Sequence, residues 1–213
     1  MLIERTAKDF VYDVASESPT PGGGSVAALV GSLGGALTNM VGNLTIDKKI
    51  YADVPEDKKV IMEKNFKEME GLVDELLNLV DEDSTAFDDV MQAFKLPKDT
   101  DENKKIRSEA IQSGYKKALE VPLRCGERCY DVLKLQDVFA EHGNINAITD
   151  VGVGTLLAYA GLEGALFNVT INLKSIKDQA YKNEMEAKVE KLLADGKNLR
   201  DSLLEVVYGR LKA

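Results

Sequence analysis

The sequence predicts an all-α protein, built as a single bundle of about six mostly long helices. Three observations carry this expectation. Apolar residues recur at alternating spacings of three and four through most of the chain, the signature of a helix with one buried face. Strand patterns are nearly absent, and the one alternating stretch, Val169–Leu173, sits inside a longer helical run. Gly and Pro cluster at a few points that cut the chain into helix-sized pieces. No linker or internal repeat divides the 213 residues, so residues 1–213 form one domain.

The elements follow in order. Thr6 with Asp9 makes a capping box, and Phe10, Val11, Val14 and Ala15 mark a short amphipathic helix behind it. Ser18–Ser25, rich in Pro and Gly, is a loop, and a second helix starts near its end and runs to about Ile46. Pro55 between Asp53 and Glu56 suits the start of a third. There Met62, Phe66, Met69, Val73, Leu76, Val80, Asp83, Phe87, Val90 and Phe94 step alternately by four and three. This heptad seam predicts one helix packed along its whole length, ended by Leu96–Thr100. A fourth begins near Asp101, is kinked or interrupted at Val121-Pro122, resumes and stops at Gly143. The fifth spans roughly Asn146–Leu173, and the sixth runs from near Ser175 to the end.

Composition removes several classes of function. Lys and Arg number 27 against 36 Asp and Glu, a net charge of −9, which argues against a nucleic-acid surface. One histidine and two cysteines are too few for a structural zinc site. Cys125 and Cys129, four apart on one helix face, read as reduced thiols in a cytoplasmic protein. The charged N-terminus is no signal peptide. The 25 residues Gly22–Ile46 carry no charge at all, yet seven glycines and six polar residues make them too polar for a membrane span. No P-loop is present, and Gly22-x-Gly24-x-x-Ala27 lacks the strand that a dinucleotide fingerprint needs.

The second and fifth helices are unusual. Ser25, Ser32, Asn39 and Asn43 share one face of the second at steps of seven, seven and four, with large apolar residues opposite. This predicts a helix buried all round with one narrow polar stripe. Asp150, Gly154, Ala158, Gly161, Ala165, Asn168 and Asn172 form a similar stripe on the fifth. Two readings stand open: close helix packing through small residues, or a cleft for a flat polar ligand. The second draws on the roughly 1 kcal/mol cost of each interior glycine and on the cost of burying unpaired amides. Gly22, Gly23, Gly24 and Ser25 would bring backbone N–H groups to such a cleft.

Pro21-Gly-Gly-Gly-Ser-Val-Ala-Ala28, followed by Met40-Val-Gly-Asn-Leu-Thr45, resembles the cyclodeaminase domain of the formiminotransferase-cyclodeaminase family and its free-standing cyclohydrolase relatives. The similarity extends over Asp83–Phe87, Leu96–Thr100, Val121–Leu123, Gly143-Asn144 with Asp150, and Asn168–Leu173. The resemblance implies an all-α, dimerising cytoplasmic enzyme acting on a tetrahydrofolate derivative, without cofactor beyond that substrate and without a metal. It implies a site in a cleft between two protomers of a homodimer or a higher oligomer. Two reactions fit. A cyclodeaminase closes 5-formiminotetrahydrofolate to 5,10-methenyltetrahydrofolate with release of ammonia, and the Leu96–Thr100 block leans this way. A cyclohydrolase opens the methenyl compound to 10-formyltetrahydrofolate. A non-catalytic helical interaction module is the third reading.

Both reactions need proton transfer beside an amidinium-like carbon, for which a carboxylate is suited. Asp83, on the seam, and Asp150, at a helix start, are the acid/base candidates; the bland alternatives are a helix-pairing Asp and a dipole-stabilising one. Lys49, with Lys48 and Tyr51, either activates a leaving nitrogen or binds the glutamate tail, or else belongs to a solvated loop. Asn39, Asn43, Asn144, Asn168 and Asn172 are candidate ligands for the pterin edge. His142 receives no role from the resemblance and reads as a helix-ending residue.

Overall fold

The computed structural model describes residues 1–212. Eight α-helices and three short 3-10 turns make up the fold, and no strand occurs among the described residues. The helices are α1 (Ala7–Val14), α2 (Gly23–Asn43), α3 (Glu56–Thr85), α4 (Asp88–Phe94), α5 (Asp101–Leu135), α6 (Asp137–His142), α7 (Ile148–Leu173) and α8 (Gln179–Leu211). All six expected helical runs are present. Two of them break, which separates α4 from α3 and α6 from α5.

Local chemistry accounts for the starts. The Thr6 side chain accepts from the Asp9 amide and its hydroxyl donates to the Asp9 carboxylate, closing the capping box of α1. Thr100 and Asp178 cap α5 and α8 in the same manner. The breaks have causes too. At the end of α3, Ser84 and Thr85 donate back to the carbonyls of Asp81 and Glu82, which competes with helix propagation. The seam therefore does not continue as one helix, and Phe87 and Phe94 are 43% and 44% exposed. At Gln136 the side chain turns into the interior and the backbone re-forms as α6. Pro122 does not interrupt α5; it lies buried on the same face as Ala118, Leu119 and Leu123, whose burial outweighs the lost hydrogen bond.

Helix α2 lies between α3 and α7 and runs antiparallel to both. Gly24, Gly35 and Gly42 of α2 meet Asp83, Val73 and Phe66 of α3, while Gly23 and Gly34 meet Asn168 and Ala158 of α7. A Cβ on Gly34 would lie 2.7 Å from the Gly154 carbonyl oxygen and 2.9 Å from the Ala158 nitrogen. Backbone touches backbone there, and no side chain can fit between. The Gln136 amide locks this contact: it donates to Thr38 of α2 at 2.8 Å and accepts from Thr155 of α7 at 3.0 Å, all three residues being buried.

This packing corrects the expectation that α2 is buried all round. Its small and polar residues, Ser25, Ser32 and Thr38 among them, face inward, while Leu33, Met40 and Leu44 are exposed. On α7, Val153, Leu156, Phe167 and Ile171 are exposed as well. Both helices are long and apolar enough to cross a membrane by length and composition, and 56% of each apolar window is buried inside the bundle. Cys125 and Cys129 are free thiols in the core.

Gly34→Ala is expected to destabilise the protein by about 2 kcal/mol through overpacking against backbone. Gly71 of α3 has open space where its Cβ would stand. Gly71→Ala is expected to stabilise by about 1 kcal/mol, a rise of about 3 °C in Tm. Thermal melts of the two variants check both directions.

Candidate functional site

The sequence-derived candidates fall into two groups at opposite ends of α2. Ser25 and Asn39 are fourteen residues apart on that helix, about 21 Å at 1.5 Å per residue.

The first group surrounds the α2 N-terminus. Asp83, near the end of α3, accepts a 2.9 Å hydrogen bond from the Ser25 hydroxyl, and the Ser25 backbone amide favours its charged form as well. Gly24 lies directly under the carboxylate, so that a Cβ there would fall inside it. A carboxylate is thus received by the exposed N–H groups and positive dipole end of a helix from another part of the chain. Burial acts against this and is the larger effect: it raises the Asp83 pKa above its ordinary 3.8. Asn168 of α7 stands beside Gly23, its amide donating to the Gly164 carbonyl at 2.9 Å. Asn172 follows one turn later and is 9% exposed. Gly22, the cap residue of α2, completes this end.

The second group lies toward the α2 C-terminus. Asn39 and Asn43 line a cavity of about 550 Å³ between α2 and α3, together with Glu70 and Asp74. The Oδ1 atom of Asn39 is itself buried and has no hydrogen-bond partner among the described residues. A neighbouring cavity of about 470 Å³ shares Asn43 and is lined by Lys48, Lys67 and Phe66 among others. The Tyr51 hydroxyl donates to Glu63 at 2.8 Å, and burial together with that carboxylate raises its pKa. Lys49 is exposed and lines neither cavity.

Several candidates are occupied structurally. Asn144 donates through its backbone to Thr45 at 2.9 Å and through its amide to the Leu44 carbonyl at 3.1 Å, while its Oδ1 accepts from Asn146. It clasps the end of α2. Arg210 of α8 holds the same junction by donating to the carbonyls of Ala140 and Gly143, and burial lowers its pKa. Asp150 lies in the first turn of α7, where the helix dipole favours an anion. It sits eighteen residues from Asn168 along α7, about 27 Å, so Asp83 and Asp150 do not meet within one chain. His142 ends α6, with Nε2 3.4 Å from Glu141. Among the described residues no three His, Cys, Asp or Glu side chains cluster as metal ligands would.

Sequence reasoning missed Glu70, Asp74 and Lys67. Their spacing marks only the outer surface of α3; the pairing of α3 with α2 makes them cavity walls.

This is the architecture of an all-α domain with a polar groove beside a glycine-entered helix, and its sequence carries matching relationships. A model of the family described as Formiminotransferase-cyclodeaminase matches residues 6–191, and the chain belongs to that family. It is 44% identical to a methenyltetrahydrofolate cyclohydrolase from Methylorubrum extorquens, over 99% of this chain and 100% of that one. It is 39% identical to formimidoyltransferase-cyclodeaminase from Gallus gallus over 92% of this chain, which corresponds to 36% of that longer protein. The crystal structure of formiminotetrahydrofolate cyclodeaminase from Thermotoga maritima superposes with a TM-score of 0.85 at 30% identity, covering 99% of this chain and 100% of that one.

The raised Asp83 pKa gives a signed prediction. The folded state holds this proton more tightly than the unfolded chain, so the contribution of Asp83 is fully present below 3.8 and is lost as pH rises through the raised value. Asp83→Asn is therefore expected to gain in Tm relative to wild type as pH rises above 3.8 through the raised value. A purely structural, charge-stabilised Asp83 would give the opposite trend.

Proposed function

We propose that this protein is a tetrahydrofolate one-carbon enzyme that opens 5,10-methenyltetrahydrofolate with water to give 10-formyltetrahydrofolate. The observation that carries this reading is the 44% identity spanning the whole of a methenyltetrahydrofolate cyclohydrolase. Cyclodeamination of 5-formiminotetrahydrofolate is the second reading, favoured by the superposition on the Thermotoga maritima cyclodeaminase. Both reactions pass through a tetrahedral carbon between N5 and N10, and one site chemistry serves either.

In the hydrolysis, water adds to the methenyl carbon and passes one proton to Asp83. The bond from that carbon to N5 then breaks, N5 receives the proton from Asp83, and the new hydroxyl loses its proton to become the formyl carbonyl. The net products are 10-formyltetrahydrofolate and one proton. Burial suits Asp83 to this exchange, because a raised pKa brings its two protonation states closer in energy near neutrality. Its negative charge also stabilises the cationic methenyl carbon.

The two residue groups lie too far apart to face one reacting carbon in a single chain. A second copy solves this. The exposed Leu33, Met40, Leu44, Val153, Leu156 and Phe167 give α2 and α7 an apolar outer face of the kind that association surfaces use. A two-fold pairing across that face, with its axis perpendicular to α2, would set the Asp83 end of one α2 toward the Asn39 end of its partner's. The reaction needs no cofactor beyond the folate in this scheme, and the reduced core thiols suit a cytoplasmic location.

A substrate panel followed by the near-ultraviolet absorbance of the methenyl species separates the readings. Hydrolysis consumes that absorbance, and cyclodeamination generates it. Asp83→Asn is expected to lower turnover by about 10²–10⁴-fold on the true substrate while the protein remains folded. Unchanged turnover removes Asp83 from the chemistry. Leu33→Glu with Leu156→Glu is expected to give monomers in sedimentation analysis and to lose activity in parallel.

A further inference from the structure

The two cavities of the α2–α3 groove differ in what they offer a ligand. Around the larger one, every charged side chain is acidic: Glu70 and Asp74 stand opposite Asn39 and Asn43. Among the described residues neither carboxylate forms an ion pair or a side-chain hydrogen bond. Glu70 and Asp74, exposed and unpaired beside the side-chain amides of Asn39 and Asn43, form a wall of acceptors that a ligand group with several N–H donors along one edge would complement.

The smaller cavity holds the groove's cations. Lys48 and Lys67 line it without an ion-pair partner among the described residues. Of its two carboxylates, Asp47 and Glu63, the second is engaged by the Tyr51 hydroxyl. Phe66 supplies an apolar wall, and Asn43 belongs to both cavities. Glu70 and Asp74 lie seven residues along α3 from Glu63 and Lys67, about 10 Å. A p-aminobenzoyl spacer spans a comparable length.

We infer that the folate lies along the α2–α3 groove in a fixed direction, with the 2-amino and N3–H edge of its pterin against Asp74, Glu70 and Asn39 and its glutamyl carboxylates toward Lys48 and Lys67. This rests on the folate reading above and adds Asp74 and Glu70 as specificity residues. A 2-aminopyrimidinone edge carries adjacent N–H donors, which a carboxylate accepts in pairs. A reversed ligand would set its carboxylates against Glu70 and Asp74, a juxtaposition of like charges that disfavours it. Asn43, between the two cavities, would then stand beside the N10 region.

The test is calorimetric, with three probes on the 213-residue protein: 5-formyltetrahydrofolate, a pterin lacking the tail, and p-aminobenzoylglutamate. Asp74→Asn combined with Glu70→Gln is expected to weaken 5-formyltetrahydrofolate at least tenfold and to abolish pterin binding, leaving p-aminobenzoylglutamate unaffected. Lys67→Ala is expected to do the reverse on the two fragments. All these positions are exposed on α3, so melts equal to wild type are expected and establish that folding is intact. The inference is overturned if wild type binds 5-formyltetrahydrofolate and the acidic double variant binds it equally well, or if the fragment sensitivities are exchanged; the folate reading survives either result. If wild type binds no folate and turns none over, that reading falls and this inference with it.

Discussion

The backbone contact between α2 and α7 governs this molecule. At Gly34 and Gly154 the two helices approach until each glycine faces the other's main chain. Interior glycines weaken a helix in isolation, and here that cost is offset by dispersion contacts along two closely apposed backbones. The buried Gln136 amide bridges Thr38 to Thr155 and fixes the register of the pair. A slip of one residue would leave these polar groups unsatisfied and drive side chains into carbonyls.

Once small residues are committed to the inner faces, the large ones have nowhere to go but out. Leu33 and Met40 on α2, and Leu156 and Phe167 on α7, are exposed for this reason. The apolar outer face is thus a consequence of the same packing that closes the interior.

The contact also turns α2 into a rod held at both ends. Asp83 secures its start through Ser25, and Asn144 secures its finish through Leu44 and Thr45. Arg210 reaches from α8 to steady that second clasp. Between these points α2 presents Asn39 and Asn43 toward α3, while the interior holds the rod in place. Asn39 and Asn43 are thereby kept at fixed separations from α3 by secondary structure rather than by flexible loops.

Periodicity determined the all-α class, the helical runs and their order, because the 3.6-residue repeat is a local property. Capping chemistry at Thr6 and the stop at Gly143 were equally local and equally legible. The identity of the residues along the α2 stripe, and Asp83 as a polar member of an apolar seam, were also open to inspection. What the sequence alone left undecided was direction. The same alternation of small and large faces on α2 is compatible with either face inward, and only the pairing with α3 and α7 selects the small one. Asp83 and Asp150 look like equivalent carboxylates in the sequence; the antiparallel arrangement sends them to opposite ends and lets one meet a helix N-terminus while the other stabilises its own helix. Glu70, Asp74 and Lys67 are ordinary surface residues of α3 until α2 is laid beside them. Local patterns fix which helices form, since those bonds close within a few residues. Which faces meet is decided by contacts between distant segments, and so by the tertiary structure alone.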